Sequence, residues 1–460
     1  MSSVESYDVV IIGAGPAGIF AALELVRSGR GGRILITERG QPIAKRRCPA
    51  RTTHCVGCET CAIMTGWGGA GAFSDGKLTL SADVGGWLGD FVGVDALPAL
   101  IDDADRIWLE FGAPELVHGP DPTEAAQLVK QAADAGMKLV PMRIRHIGTD
   151  HSPAVLQAMH DTLAAAGVEI RTSSPVVAIL AESGHVTGVE FESGDRVATT
   201  TVIAAPGRDG ADWLTEQARR LGIGLTNNAV DIGVRVEVPA VVMEPLTKPL
   251  YEAKLVYRSA RYGDKVRTFC MNPYGEVSTE SYGDIVTVNG HSFADTKTEY
   301  TNFAVLVSKK FTHPFHEPFT YGHSIAQLAN LLGEGILVQR LGDQRAGRRS
   351  TEARIAASSA RPTLQATPGD LSLVLPYRLF ADILEFLEAL DRLAPGVNDD
   401  DTLLYGIEVK FYSSRLELDE HLRTKVEGLY AIGDGAGVTR GLIQSSASGL
   451  VAARAVLEAQ

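Results

Sequence analysis

The pattern over residues 7–38 constrains the fold most. Tyr7–Ile12 is a β-rich apolar run, Gly13-Ala14-Gly15-Pro16-Ala17-Gly18 follows without a break, and Ile19, Leu23 and Val26 then recur on one helical face. Gly29 is a natural stop for that helix. A second β run, Arg33–Thr37, ends at Glu38, twenty residues beyond Gly18. This order of strand, glycine turn, helix and strand predicts a βαβ unit and an α/β fold around a parallel sheet. Gly13 permits the tight turn, Gly15 lets the backbone approach a pyrophosphate, and Gly18 allows close helix–strand contact. Pro16 and Ala17 open a helix whose free N–H groups favour an anion, while Glu38, followed by Arg39, is spaced to meet ribose hydroxyls. These residues are the first candidate dinucleotide ligands.

Two later segments narrow the ligand. TKVEGLYAIGDG, residues 424–435, runs through a short apolar strand, Leu429–Ile432, into Gly433-Asp434-Gly435 and then a helical pattern over Ser445–Leu457. Residues 176–210 read as a three-stranded meander with turns at Ser183-Gly184 and Ser193-Gly194, followed by a buried strand and Pro206-Gly207. With the N-terminal fingerprint, these segments resemble the glutathione-reductase-like FAD flavoproteins, and the three matches span roughly half the chain. The resemblance implies a Rossmann-like FAD-binding domain of that type. It places Val176, Ala205, Gly207, Gly433, Asp434, Gly441, Leu442 and Ile443 beside the cofactor, with Asp434 at its ribityl and pyrophosphate region. A second GxGxxG followed by a ribose-binding acid is missing from the sequence, so a nicotinamide cofactor is expected to bind transiently at most.

The rest of the chain is read as insertions. FAD-binding parts are expected at 1–84, 151–224 and 396–460. A helical excursion with Leu97–Phe111 and Thr123–Ala135 is expected at 85–150. A mixed α+β substrate domain is expected at 225–395, containing strand runs Ala229–Val238, Lys265–Met271 and Phe303–Val307 and helices His323–Leu332 and Tyr377–Leu390. The net charge of −13 opposes a broad phosphate-binding surface, so nucleic acid is not an expected partner. No apolar run reaches membrane-spanning length, and the start lacks a secretory pattern, so a cytoplasmic protein with no membrane partner is expected.

Four of the five cysteines, Cys48, Cys55, Cys58 and Cys61, fall within fourteen residues and lead into GWGGAGAFSDGK, residues 66–77. The glycines suit a backbone passing close to a flat ring, which makes Gly68, Gly69, Gly71, Ser74 and Asp75 candidate cofactor ligands. Together with Arg47 and Cys48-Pro49, this segment resembles a group of FAD-dependent dehydrogenases with a cysteine-containing stretch before GGAGAFSDGK. The spacing of the thiols fits a [4Fe–4S] cluster with its Cys-Pro placed first, or a four-cysteine zinc site with His54 as a substitute ligand. It also fits a redox-active disulfide facing the flavin, or small buried residues without metal. Cys270 reads as core or pocket lining.

Further candidates are weaker. Arg345, Arg348 and Arg349 can clamp an acid but read first as solvated surface. His313, His316 and His323 lack metal-ligand spacing. Tyr405, Glu408, Lys410 and Arg440 are candidate catalytic groups, and Gln444 can touch substrate or the flavin edge. The expected activity is an FAD-dependent dehydrogenase moving a hydride between a small organic substrate and flavin N5, with an electron carrier as a candidate partner. An NAD(P)H-dependent flavin reductase or monooxygenase, and a non-catalytic redox-sensing flavoprotein, remain the alternatives.

Overall fold

The computed structural model describes residues 5–29, 32–49, 58–226, 228–282, 284–293, 296–311, 317–411 and 413–459. The chain divides into two units: Met1–Leu116 with Arg145–Asn228 and Tyr412–Gln460, and Val117–Ile144 with Ala229–Phe411.

The first unit is built on a five-stranded parallel sheet in the order Leu429–Ala431, Val202–Ala204, Val9–Ile12, Ile34–Thr37, Glu169–Arg171. The first four of these strands are fully buried, as expected for a parallel sheet covered on both faces. Helix Pro16–Ser28 has proline in its first turn and ends at Gly29, which adopts φ 66° and returns its N–H to the Val26 carbonyl. The meander forms from Val176–Glu182, His185–Phe191 and Arg196–Ala198, and Glu5–Ser6 adds a parallel edge strand that two polar residues did not announce.

Helix Leu442–Ala459 lies against Pro16–Ser28. A Cβ added at Gly449 would stand 2.3 Å from the Ala17 carbonyl oxygen and 2.8 Å from the Ala21 nitrogen, so the two backbones touch. Arg454 pairs with Glu24 at 2.7 Å and Asp103 at 2.8 Å, and the Trp108 indole donates to Ser446 at 3.1 Å, tying in helix Leu97–Glu110.

The second unit holds an eight-stranded mixed sheet in the order Thr367–Pro368, Leu337–Arg340, Leu403–Lys410, Val230–Pro239, Tyr300–Lys309, Lys265–Asn272, Lys254–Arg258, Met137–Val140. Ile232, Val234, Val236 and Val238 join a core with helices Ala240–Leu250, Pro318–Gly333 and Tyr377–Leu390. Strand alternation sends Asp231, Arg235 and Glu237 to the opposite face, where they are also buried. The hairpin Glu276–Tyr282 with Ile285–His291 completes the unit.

This division differs from the expected one. Residues 117–144 leave the 85–150 excursion because Met137–Val140 pairs with Lys254–Arg258. Leu403–Lys410, read as part of the last flavin segment, pairs with Val230–Pro239 and belongs to the second unit. Local periodicity identifies a strand but not its partner, so these boundaries were not readable from the chain alone.

Gly449→Ala should lower stability by about 1–3 kcal/mol in urea unfolding, because the helix–helix clash outweighs the roughly 1 kcal/mol gained in helix propensity. An unchanged or higher midpoint would contradict backbone contact between the two helices.

Candidate functional site

In the first unit the glycine motifs meet at the carboxyl edge of the parallel sheet. Gly13 has φ +101°, and a Cβ there would lie 2.2 Å from the Ala205 carbonyl oxygen, which joins the fingerprint to the middle strand. A Cβ on Gly69 would come 3.1 Å from the Gly15 Cα, and one on Gly71 would come 2.7 Å from the Leu442 side chain. A Cβ on Gly435 would come 2.5 Å from the Gly207 carbonyl oxygen, and one on Gly433 would come 3.1 Å from Ala17. Residues from the start, middle and end of the chain therefore border one place.

The groups there suit a dinucleotide. Gly15 caps the Pro16–Ser28 helix without a side-chain bond, and the first turn carries no acid, so the Ala17 and Gly18 amides have no capping side chain. Among the described residues a Cβ on Gly15 would meet just the Gly69 Cα, at 3.9 Å, so no described protein atom accounts for a glycine there, whereas the approach of a pyrophosphate would. Asp434 accepts the Thr439 hydroxyl at 2.8 Å, with Arg208 at 3.9 Å, and burial pushes its carboxyl above the usual range. Gln444 is fully buried; its amide nitrogen donates to the Val84 carbonyl at 3.0 Å, while its Oε1 has no partner among the described residues. Such an orphaned acceptor suits a ligand donor. Ile443 lies buried beside it, and Gly441 has φ 91°.

Glu38 holds backbone rather than open space. One carboxylate oxygen accepts the Ala14 amide at 2.9 Å, and the other accepts Gly40 at 2.8 Å and Gly66 at 3.1 Å. It thus joins the fingerprint turn to the end of the cysteine segment. Arg39 pairs with Asp209, which also accepts the Thr65 hydroxyl at 2.6 Å. Arg46 is buried and donates to the carbonyls of Ala62, Ile63 and Trp67 at 2.6–2.9 Å, clamping the chain just before Cys48 to the chain just after Cys61. Ser74 donates to the Gly71 carbonyl at 3.1 Å, and Asp75 pairs with Lys77 at 3.0 Å. Val176 opens the meander.

Cys48 and Cys61 are half-buried and Cys58 is exposed, while Cys55 and His54 lie outside the described residues. No group of three or more His, Cys, Asp or Glu is gathered for a metal among the described residues. Arg440 lies 4.4 Å over the Trp87 ring in the first unit.

The other catalytic candidates belong to the second unit. The Tyr405 hydroxyl donates to Glu237 at 2.5 Å, Glu408 binds Arg235 through two bonds of 2.8 and 2.9 Å, and Lys410 reaches Glu280 at 3.0 Å. Tyr405 and Glu408 are fully buried, so they act as internal partners of the sheet. Arg345 and Arg348 are exposed and pair with Asp400 and Asp343, and Arg349 is also exposed. His323 faces Asp284 at 2.9 Å; His313 and His316 lie outside the described residues. Cys270 is half-buried at a strand irregularity with φ 44°.

Arg46, Arg208, Asp209 and Arg235 were missed. Arg208 and Asp209 directly follow Pro206-Gly207, a position that marks them once the turn is assigned. Arg46 and Arg235 carry no comparable signal.

Residues 230–411 match the family described as "FAD-dependent protein, C-terminal domain-like". A protein of Clostridium beijerinckii, described only as uncharacterized, is 27% identical and the match covers 98% of this chain and 80% of that protein. Among solved structures, 3-ketosteroid-delta4-(5alpha)-dehydrogenase from Rhodococcus jostii RHA1 gives a TM-score of 0.45 at 13% identity, covering 98% of this chain and 97% of that one. L-proline dehydrogenase from P. horikoshii gives 0.42 at 11%, covering 99% and 95%. No helix among the described residues is long and apolar enough to cross a membrane.

Two substitutions test the site. Glu38→Gln turns a donor toward backbone N–H groups and should cost about 1–3 kcal/mol in thermal or urea unfolding. A neutral effect would contradict the three-amide role. Because burial raises the Asp434 carboxyl, cofactor-free protein should lose stability as pH rises through that group's folded-state pKa. Asp434→Asn should remove that pH-dependent loss and weaken flavin retention; an unchanged pH profile would contradict the burial of a strained carboxylate.

Proposed function

We propose that the chain is a cytoplasmic FAD-dependent oxidoreductase of the dehydrogenase kind, acting on a small organic substrate. The observation that carries this is the meeting of Gly13–Gly18, Gly68–Gly71, Ala205–Gly207 and Gly433–Ile443 at one sheet edge, with an open Gly15 and an unpaired Gln444 oxygen. Bound FAD would supply an N5 position that accepts or gives a hydride. The chain's own part is to hold and orient. The Ala17 and Gly18 amides would hold the pyrophosphate, with the positive end of a helix behind them. Asp434 and Gln444 would hold the neighbouring portion through its hydroxyls or ring edge. Gly69 and Gly71 keep the loop thin enough for close approach.

The four clustered thiols are candidate ligands for an iron–sulfur centre with electron exit to a carrier. Their ligand chemistry fits, and the Arg46 clamp fixes both ends of the segment that bears them.

Protein purified without oxygen should carry stoichiometric FAD, released by acid, whose visible bands bleach with an oxidisable substrate. Gly15→Val should abolish retention of the flavin while the chain stays folded. Protein that folds without flavin and takes none up would overturn the reading. Iron and acid-labile sulfide in the same preparation, lost together in Cys58→Ser, test the metal assignment; zinc or no metal would contradict it.

A further inference from the structure

The second face of the eight-stranded sheet carries a cluster that the flavin motifs do not use. Strand register places Val256 opposite Arg267, which brings Lys254 beside Phe269 on the neighbouring strand. Three cations surround that one ring: the Arg267 guanidinium carbon lies 4.7 Å, the Lys254 ammonium 5.3 Å and the Lys410 ammonium 6.0 Å from its centroid. Most of the charge on this face is matched. Arg267 pairs with Asp231, Lys410 with Glu280, and Arg235 with Glu408. Lys254 is different. It has no ion pair or hydrogen bond among the described residues, and the nearby carboxylates Asp231 and Glu252 act on it only through space. Lys254 and Phe269 are both half-buried, and Arg267 and Lys410 are buried.

We propose that Lys254, Phe269 and Arg267 form a binding site for a small organic carboxylate. A carboxylate, rather than a phosphate, follows from the charge. One ammonium lacks a partner, and one negative charge matches it, whereas a dianion would leave a charge unpaired on a half-buried surface. Phe269 adds an apolar edge that suits an organic acid over a bare inorganic ion.

The electrostatics give the site a signature. Burial, together with Arg267 and then Lys265, pushes the Lys254 ammonium down to about 7. Asp231 and Glu252 oppose this only partly. An arriving anion favours the charged form, so above neutral pH binding must take up a proton, and affinity must fall as pH rises past that value.

The test is calorimetric titration of the purified full-length protein with benzoate and, separately, inorganic phosphate, at constant ionic strength in two buffers of different ionisation heat. Flavin content is measured in each preparation. Benzoate should bind saturably with proton uptake above pH 7. Lys254→Met should weaken it by about tenfold or more and abolish the uptake. Lys254→Arg should keep the binding without the uptake, which separates loss of charge from loss of fold. Failure of benzoate to bind, equal binding by Lys254→Met, or tighter binding of phosphate than of benzoate would overturn the proposal. Flavin-free protein with Lys254-dependent binding contradicts the oxidoreductase reading alone, and flavin-replete protein without such binding contradicts the carboxylate site alone.

Discussion

The close contact between helices Pro16–Ser28 and Leu442–Ala459 is the constraint on which the first unit depends. Gly449 lets the last helix rest on the Ala17 and Ala21 backbone, and Arg454 fixes its rotation through Glu24 and Asp103. With the helices seated in this way, Gly433 reaches Ala17 and Leu442 reaches Gly71. Motifs separated by hundreds of residues then border one sheet edge. Helix dipole, open glycine and unpaired amide oxygen act on the same space only because of this packing.

The second unit solves a different problem. Its sheet buries charge on one face, and a buried pair such as Arg235–Glu408 gives little net stability over apolar residues of the same size. Breaking it is costly, because the surviving charge has no water to turn to. The value of such a network lies in fixed geometry. Arg235 also donates to Asn302 at 2.7 Å and to the Cys270 carbonyl at 3.1 Å, so the strands on either side are locked in register around it. A rigid charged floor of this kind can hold an ammonium like Lys254 near Asp231 and Glu252 without an ion pair among the described residues.

Much of the first unit was legible in the sequence because its signals are local. Strand, glycine turn and helix over residues 7–29, the paired turns at Ser183-Gly184 and Ser193-Gly194, and the strand before Gly433 each lie within a single window. Helix Tyr377–Leu390 was readable to the residue for the same reason. The destination of Leu403–Lys410 was not, since alternation reports a strand without its neighbour. Glu38 shows the limit from another side: its spacing marked it as a ribose ligand, whereas its carboxylate accepts three backbone amides, an arrangement that depends on where Gly66 returns and that no local pattern encodes. Arg46 and Lys254 act through contacts made by distant strands or loops, so composition and spacing passed over both.

The claim that the glycine motifs form one flavin cradle is tested most directly by hydrogen exchange on flavin-stripped protein before and after adding FAD. Protection should rise together in the segments 13–18, 68–75 and 433–444 and stay unchanged over strand Val230–Pro239. Protection confined to one of the three segments, or none in any of them, would contradict a single site.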